Sequence, residues 1–250
     1  MPSKEDIWRK KRVGLITASE LSNIVSASGK IIDGNISYIR SKRWERKHGF
    51  SHPVSSRPME IGNEQEPMAV EWLRANTGIK DIVYSKELSE IPLWTSTSCP
   101  MGASPDAYTR DESIVFEIKT NVSPAVIEFF NDEYTSYEEK KAVVWKDHGD
   151  QILGQFISNP RVNEIWLLRY TYQDDDIMAD TDSPIAPWRG IIFKFARKDY
   201  EQSLADMKER IWLFDAFIDA PINPADFKVG EWFLESGELK QRIPEKKKKD

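Results

Sequence analysis

The sequence predicts a mixed α/β domain in which helices flank a central mixed β-sheet. Helix-like and strand-like segments follow one another along the chain, which is typical of this class. The 250 residues are 40% hydrophobic and 30% charged, as in an ordinary globular protein, and a chain of this length buries a large core without disulfides. We expect a single domain over residues 1–220 and a C-terminal extension over 221–250, which ends in a disordered basic tail.

Helices and strands are predicted from periodicity and from end signals. Thr17 and Glu20 have the spacing of a capping box, and Gly78 is a typical stop after an apolar helical stripe. The predicted helices are a short one from Thr17 and segments 37–48, 63–76, 122–130, 147–158 and 198–218. The predicted strands are 103–109, 114–119, 165–172 and 189–195. The acidic, proline-bearing segment 173–187 is predicted to be a long loop, and the final helix is expected to pack on the sheet.

Several classes of protein are disfavoured by the sequence. Cys99 is the only cysteine, which excludes an internal disulfide framework and a four-cysteine cluster. The chain shows no secretory signal and no segment that would span a membrane, so we expect a cytoplasmic protein. The three histidines, His48, His52 and His148, lack ligand spacing, and no phosphate-binding glycine loop is present.

The charge is unevenly distributed along the chain. The net charge of −6 argues mildly against nucleic acid as a ligand, but basic residues concentrate in 4–12 and 40–48. A local basic groove can coexist with an acidic total, because salt screens exposed charges beyond about 8 Å.

The most informative stretch is Ser104-Pro105-Asp106, followed ten residues later by Glu117-Ile118-Lys119. Side chains alternate along a strand, so Glu117 and Lys119 share one face, and Asp106 on the neighbouring strand can face Glu117. Two hard oxygen ligands would then converge on Mg²⁺, for which Mn²⁺ is the expected substitute, and the Ile118 carbonyl could add a third. Lys119 beside them would suit metal-assisted phosphodiester hydrolysis. The alternative is a surface hairpin with an ordinary Glu–Lys pair.

Glu66 is a further candidate for this acidic cluster. It lies at the N-terminal end of an apolar helical stripe, where a carboxylate needs a partner such as a metal. The alternative is that Glu66 caps its own helix, since Asn63 and Glu66 also have capping-box spacing.

A possible anion site lies nearer the N-terminus. The helix predicted after Thr17 would present free N–H groups, with the Ser19 hydroxyl in its first turn and Arg12 as a bidentate phosphate ligand. Plain helix capping would account for Thr17 and Glu20 but not for Arg12. Gln151 and Gln155 share a helix face and could bind a phosphate or a water, although solvent-exposed glutamines are the simpler reading.

Five ordered blocks resemble a known family. They are RVGLITASE (12–20), IGNEQEPMAVEWL (61–73), MGASPDAY (101–108), FEIKT (116–120) and DQILGQF (150–156). Their order and spacing are similar to those of the lambda-exonuclease/YqaJ-type viral recombinase nucleases of the PD-(D/E)XK nuclease superfamily. The resemblance covers roughly residues 8–172.

The resemblance implies roles for individual residues. Asp106 and Glu117 are implied as metal-binding acids, Lys119 as the catalytic lysine and Glu66 as an acid from the preceding helix. The pocket for the 5′-phosphate of the digested strand is implied to contain Arg12, Ser19, Ser104 and Gln151. Gln155 departs from the family pattern, in which the second glutamine stands two residues after the first, and 131–145 does not align.

The resemblance also implies a function and partners. The family degrades linear double-stranded DNA from 5′ ends and leaves 3′ single strands for a single-strand annealing protein, and its best-known member is a homotrimeric ring around DNA. We therefore expect a Mg²⁺-dependent 5′→3′ exonuclease that forms a homo-oligomer. The alternatives are a structure-specific or restriction-type endonuclease and a DNA-binding module without catalysis.

Overall fold

A computed structural model of the chain describes residues 4–24, 33–51, 57–87, 90–120, 123–171, 183–226, 232–236 and 238–241. The α-helices are α1 (Lys4–Arg12), α2 (Asp33–His48), α3 (Arg57–Thr77), α4 (Pro124–Asn131), α5 (Tyr137–Ser158) and α6 (Glu201–Asp219). The strands are β1 (Ile16–Thr17), β2 (Ile82–Val83), β3 (Trp94–Thr95), β4 (Met101–Ala103), β5 (Ala107–Thr109), β6 (Ile114–Thr120), β7 (Glu164–Tyr170), β8 (Gly190–Ala196), β9 (Trp232–Glu235) and β10 (Glu238–Gln241).

The central sheet has five strands in the order β2-β5-β6-β7-β8. Only β6 and β7 run parallel, and the other neighbours are antiparallel, so the sheet is mixed as predicted. A smaller sheet has the order β1-β4-β3, and β9 and β10 form a separate hairpin.

The two faces of β6 serve two separate cores. Phe116 and Ile118 pack with α3 residues such as Val70, whereas Val115 belongs to the larger core beneath α5. This alternation confirms the predicted faces of β6. The face of α3 bearing Ala69, Val70 and Leu73 is fully buried, as its apolar stripe predicted.

Three predicted elements have different boundaries in the structure. The predicted strand 103–109 is interrupted between β4 and β5 at residues 104–106, where Pro105 has no N–H to donate to a ladder. Helix α3 begins six residues before the predicted Asn63, and α5 begins ten residues before the predicted start, so most of 131–145 is helical. Helix α6 packs against α5 and α2, and its buried side chains share the larger core with Phe193 and Phe195 of β8. Most of the predicted loop 173–187 lies outside the described residues.

The basic helix α2 is used largely inside the fold. Arg43 donates to four backbone carbonyls at the end of α6, and Arg46 pairs with Asp215 and Asp219. Lys42 is 3% exposed and pairs with Glu20 and Glu45. Lys42, Arg43 and Arg46 are therefore engaged within the fold and do not supply the local basic groove that the charge pattern of 40–48 suggested.

Helix α5 lies very close to the 3₁₀ helix Ala18–Asn23 at Gly154. A Cβ added there would lie 2.7 Å from the Ala18 Cβ in the 3₁₀ helix Ala18–Asn23. Only glycine permits this contact, so the backbones of α5 and the 3₁₀ helix touch directly.

No helix in the described ranges has the length and apolar character to cross a membrane.

Candidate active site

The hairpin β5–β6 places Asp106 beside Glu117. Ala107 is paired with Phe116 across the hairpin, so the residue before β5 lies opposite the residue after Phe116. The Asp106 Oδ2 accepts a hydrogen bond from the Ile118 backbone N–H at 2.7 Å, which fixes the carboxylate against β6. The predicted juxtaposition of Asp106 and Glu117 is confirmed.

A single pocket of about 320 Å³ brings together the side chains that the sequence singled out. It lies between α1, the 3₁₀ helix, α3, the β5–β6 hairpin and α5. Of the candidate residues, it is lined by Arg12, Ser19, Glu66, Ser104, Asp106, Glu117, Lys119, Gln151 and Gln155. The Ile118 side chain packs in the core on the other face of β6, while its backbone N–H donates to Asp106 at the edge of the pocket.

Glu117 is the most heavily hydrogen-bonded acid of the pocket and is 2% exposed. Its Oε1 accepts from Lys119 Nζ at 2.7 Å and from Gln151 Nε2 at 2.5 Å. Its Oε2 accepts from Gln155 Nε2 at 3.1 Å. Gln155 is 1% exposed, so the interpretation of this residue as a solvent-exposed glutamine is wrong.

The acidic end of the pocket holds three carboxyl groups, Glu66, Asp106 and Glu117, beside the Lys119 ammonium. Burial, and then the nearby charge of Glu117, raise the pKa of Glu66 to about 7. Burial and the charges of Glu117 and Glu66 raise the pKa of Asp106 well above its usual range. Burial opposes the charged form of Lys119, but the Glu117 and Asp106 carboxylates outweigh it and raise the pKa of the lysine. Lys119 is therefore a cation at neutral pH and not a base.

The alternative role of Glu66 as a helix cap is wrong. Helix α3 begins at Arg57, so Asn63 and Glu66 lie well inside it, where a capping box has no function. Glu66 instead lines the pocket with Asp106 and Glu117.

The opposite end of the pocket carries a guanidinium and hydroxyl groups. Arg12 donates to Ser104 Oγ at 3.2 Å, and its guanidinium lies 4.6 Å from the centre of the Trp8 ring. Thr17 Oγ1 and Ser19 Oγ are 3.4 Å apart. The Thr17–Glu20 capping box is confirmed, but the helix it caps is a six-residue 3₁₀ helix. So short a 3₁₀ helix offers little as a helix N-terminus, and an anion here would depend on side chains.

Two lining residues were missed by the sequence reasoning. Trp8 precedes Arg12 by one helical turn, a spacing that could have indicated the stacking once α1 was predicted. Ile91 also lines the pocket, and no sequence signal near it pointed there.

The chemistry of the donor set fits a hard divalent cation. Within the described ranges, no three histidine, cysteine, aspartate or glutamate side chains are arranged as a ready ligand cluster, and Oε1 of Glu117 is occupied by two donors. However, burial and then the charges of neighbouring carboxylates raise the pKa values of Glu66 and Asp106, and a bound cation would stabilise their charged forms. The oxygen donors present are those that Mg²⁺ prefers.

The five-stranded mixed sheet and its flanking helices form a PD-(D/E)XK nuclease fold. The structure superimposes on an alkaline exonuclease from Laribacter hongkongensis, LHK-Exo, with a TM-score of 0.61, 18% identity, and coverage of 86% of this chain and 92% of the other. LHK-Exo in complex with dAMP gives the same values. A phage-related exonuclease from Haemophilus somnus 129PT superimposes with a TM-score of 0.55, 16% identity, and coverage of 82% and 93%. These likenesses confirm the predicted fold.

The family follows from the sequence itself. Residues 7–147 match the YqaJ-like viral recombinase domain, so the chain belongs to that family and the resemblance is confirmed. No curated protein sequence matches the chain.

Proposed function

We propose that the protein is a Mg²⁺-dependent 5′→3′ exonuclease that digests linear double-stranded DNA and leaves 3′ single strands for recombination. One observation carries the proposal: a single pocket joins an acidic end with Lys119 to an end with Arg12, Ser19 and Ser104. The fold shared with proteins named exonucleases, one of them in complex with dAMP, supports a DNA substrate. We further propose that the protein acts in the cytoplasm and hands its product to a single-strand annealing protein.

Each side chain has a role that follows from its place in the pocket. Asp106 and Glu117, with Glu66 and the Ile118 carbonyl, would hold the Mg²⁺ ion, which when bound polarises a phosphoryl oxygen and lowers the pKa of a bound water. The Lys119 ammonium orients the attacking water and offsets the negative charge that develops on the phosphate. Arg12, Ser19, Ser104 and Gln151 hold the terminal 5′-phosphate.

The first experiment compares linear duplex DNA with covalently closed duplex DNA in the presence of Mg²⁺. An exonuclease digests only the linear form, an endonuclease also cuts the closed form, and a binding module cuts neither. Asp106→Ala and Glu117→Ala each remove a charged ligand, so we expect both variants to be inactive while they remain folded. Circular dichroism checks the fold, and an active Asp106→Ala variant would overturn the proposed site.

The second experiment tests the polarity with two linear substrates that differ only in a 5′-phosphate or a 5′-hydroxyl. A charge-assisted hydrogen bond contributes about 1.5–3 kcal/mol, so the phosphorylated end should be digested on the order of tenfold faster. Arg12→Ala should remove most of this preference and change the slow rate on the 5′-hydroxyl end little. Equal rates of the wild-type protein on both ends would contradict the 5′→3′ assignment and favour an endonuclease.

A further inference from the structure

Gln155 makes a contact with Glu117 that the family pattern does not predict. Its Nε2 lies 3.1 Å from Glu117 Oε2, and since a carboxylate only accepts hydrogen bonds, the amide nitrogen must face it. Gln151, one turn earlier on α5, donates to the other oxygen, Oε1. We infer that Gln155 is a positioning residue that holds the Glu117 carboxylate in the orientation required for cation binding, an inference that rests on the proposed function.

The hydrogen bonds to Glu117 are unevenly shared between its two oxygens. Oε1 accepts from both Lys119 and Gln151, whereas Oε2 accepts from Gln155 alone among the described residues. Each carboxylate oxygen has about two acceptor positions. Oε2 therefore keeps capacity for a cation while Gln155 fixes the rotation of the group.

The three side chains that donate to Glu117 also differ in how deeply they are buried, and therefore in how easily they can turn away from it. The Lys119 side chain is 27% exposed and Gln151 is half-buried, so both can turn toward a bound phosphate. Gln155 is 1% exposed and is flanked by Gly154, which touches the 3₁₀ helix, and by fully buried Phe156. Gln155 is thus the donor that stays on Glu117 when the other two engage substrate.

The burial of the Gln155 amide lowers the stability of the folded protein. A residue kept at this cost indicates that the hydrogen bond to Glu117 has a role in function. The Gln155 Oε1 is buried and has no hydrogen-bond partner in the described part of the chain. A buried acceptor without a hydrogen-bond partner destabilises the folded protein, because it has lost its bonds to water. An apolar side chain would fill the same space without that cost but would leave Oε2 without its donor.

The test replaces Gln155 with Met, which has similar length and no donor. Calorimetric titration of the DNA-free protein with Mn²⁺ should show an affinity about tenfold weaker or more, the usual effect of removing a group that orients a metal ligand. The turnover number should fall, while the ratio of rates on 5′-phosphate and 5′-hydroxyl ends stays at the wild-type value. Gln151→Met is the matched control. This variant should lower the ratio of rates on 5′-phosphate and 5′-hydroxyl ends more than it lowers the affinity for Mn²⁺.

A second variant guards against a folding defect. Gln155→Asn keeps the amide but is one methylene shorter, so it should not reach Glu117 and should weaken Mn²⁺ binding as Gln155→Met does. Wild-type Mn²⁺ affinity in both folded variants would overturn the inference and leave the proposed function intact. A wild-type protein that digests no DNA with Mg²⁺ would instead overturn the proposed function.

Discussion

The raised pKa of Glu66 predicts how the stability of the protein depends on pH. Burial and the charge of Glu117 raise this pKa from 4.5 to about 7. The folded protein therefore binds the Glu66 proton more tightly than the unfolded chain does, so the free energy of unfolding falls as the pH rises from about 4.5 to about 7. A shift of this size corresponds to at most about 3 kcal/mol. Glu66→Gln keeps the shape and removes the titration, so the variant should lose much less stability over this range.

The measurement is urea unfolding followed by fluorescence of the nine tryptophans, at pH 5, 6, 7 and 8 with EDTA. At pH 8 the Glu66→Gln variant should be more stable than the wild type, and Mg²⁺ should narrow the difference by stabilising the wild type. Glu64→Gln, an exposed position on the same helix, is the control and should follow the wild-type curve. If the free energy of unfolding depended on pH in the same way for the wild type and for Glu66→Gln, the electrostatic account of the pocket would be refuted.

Three further predictions concern the pocket and its assembly. Trp8→Leu removes the ring that stacks on Arg12, a contact of about 0.5–2 kcal/mol, so the rate preference for 5′-phosphate should fall several-fold, whereas Trp8→Phe should keep it; equal preferences in both variants would argue against stacking. Lys119→Met should lower turnover far more than DNA affinity in single-turnover and binding assays, and a loss confined to binding would make Lys119 a phosphate contact. We also expect a ring-shaped homo-oligomer, which light scattering of an active preparation tests and a monomer would contradict.

The β5–β6 hairpin and its acids could be predicted because local rules govern them. Alternation along β6 separates Glu117 and Lys119 from Phe116 and Ile118, and pairing across the hairpin brings Asp106 to Glu117. Short-range patterns of this kind need no knowledge of the rest of the chain.

The orientation of Glu66 and the burial of Gln155 could not be predicted by the same rules. The capping-box spacing of Asn63 and Glu66 is typical of a helix start. The first six residues of α3, 57–62, precede Asn63 and carry no apolar periodicity that would have indicated an earlier start. Gln155 has the composition of a surface residue, and only the packing of α5 on the 3₁₀ helix buries it. The role of Arg46 in α2 could not be predicted for a related reason, since its partners Asp215 and Asp219 lie about 170 residues away in the sequence.

The contact of Gly154 with Ala18 fixes the distance between two elements that line the pocket, α5 and the 3₁₀ helix. It fixes how far α5, which carries the two glutamines on Glu117, stands from the 3₁₀ helix that carries Ser19. Under the proposed roles, Gln151 on α5 and Ser19 on the 3₁₀ helix hold the same terminal phosphate, so that separation sets the width of the phosphate site. A methyl group at position 154 would push the two elements apart. Gly154→Ala would therefore weaken the preference for a 5′-phosphate end as well as slow digestion.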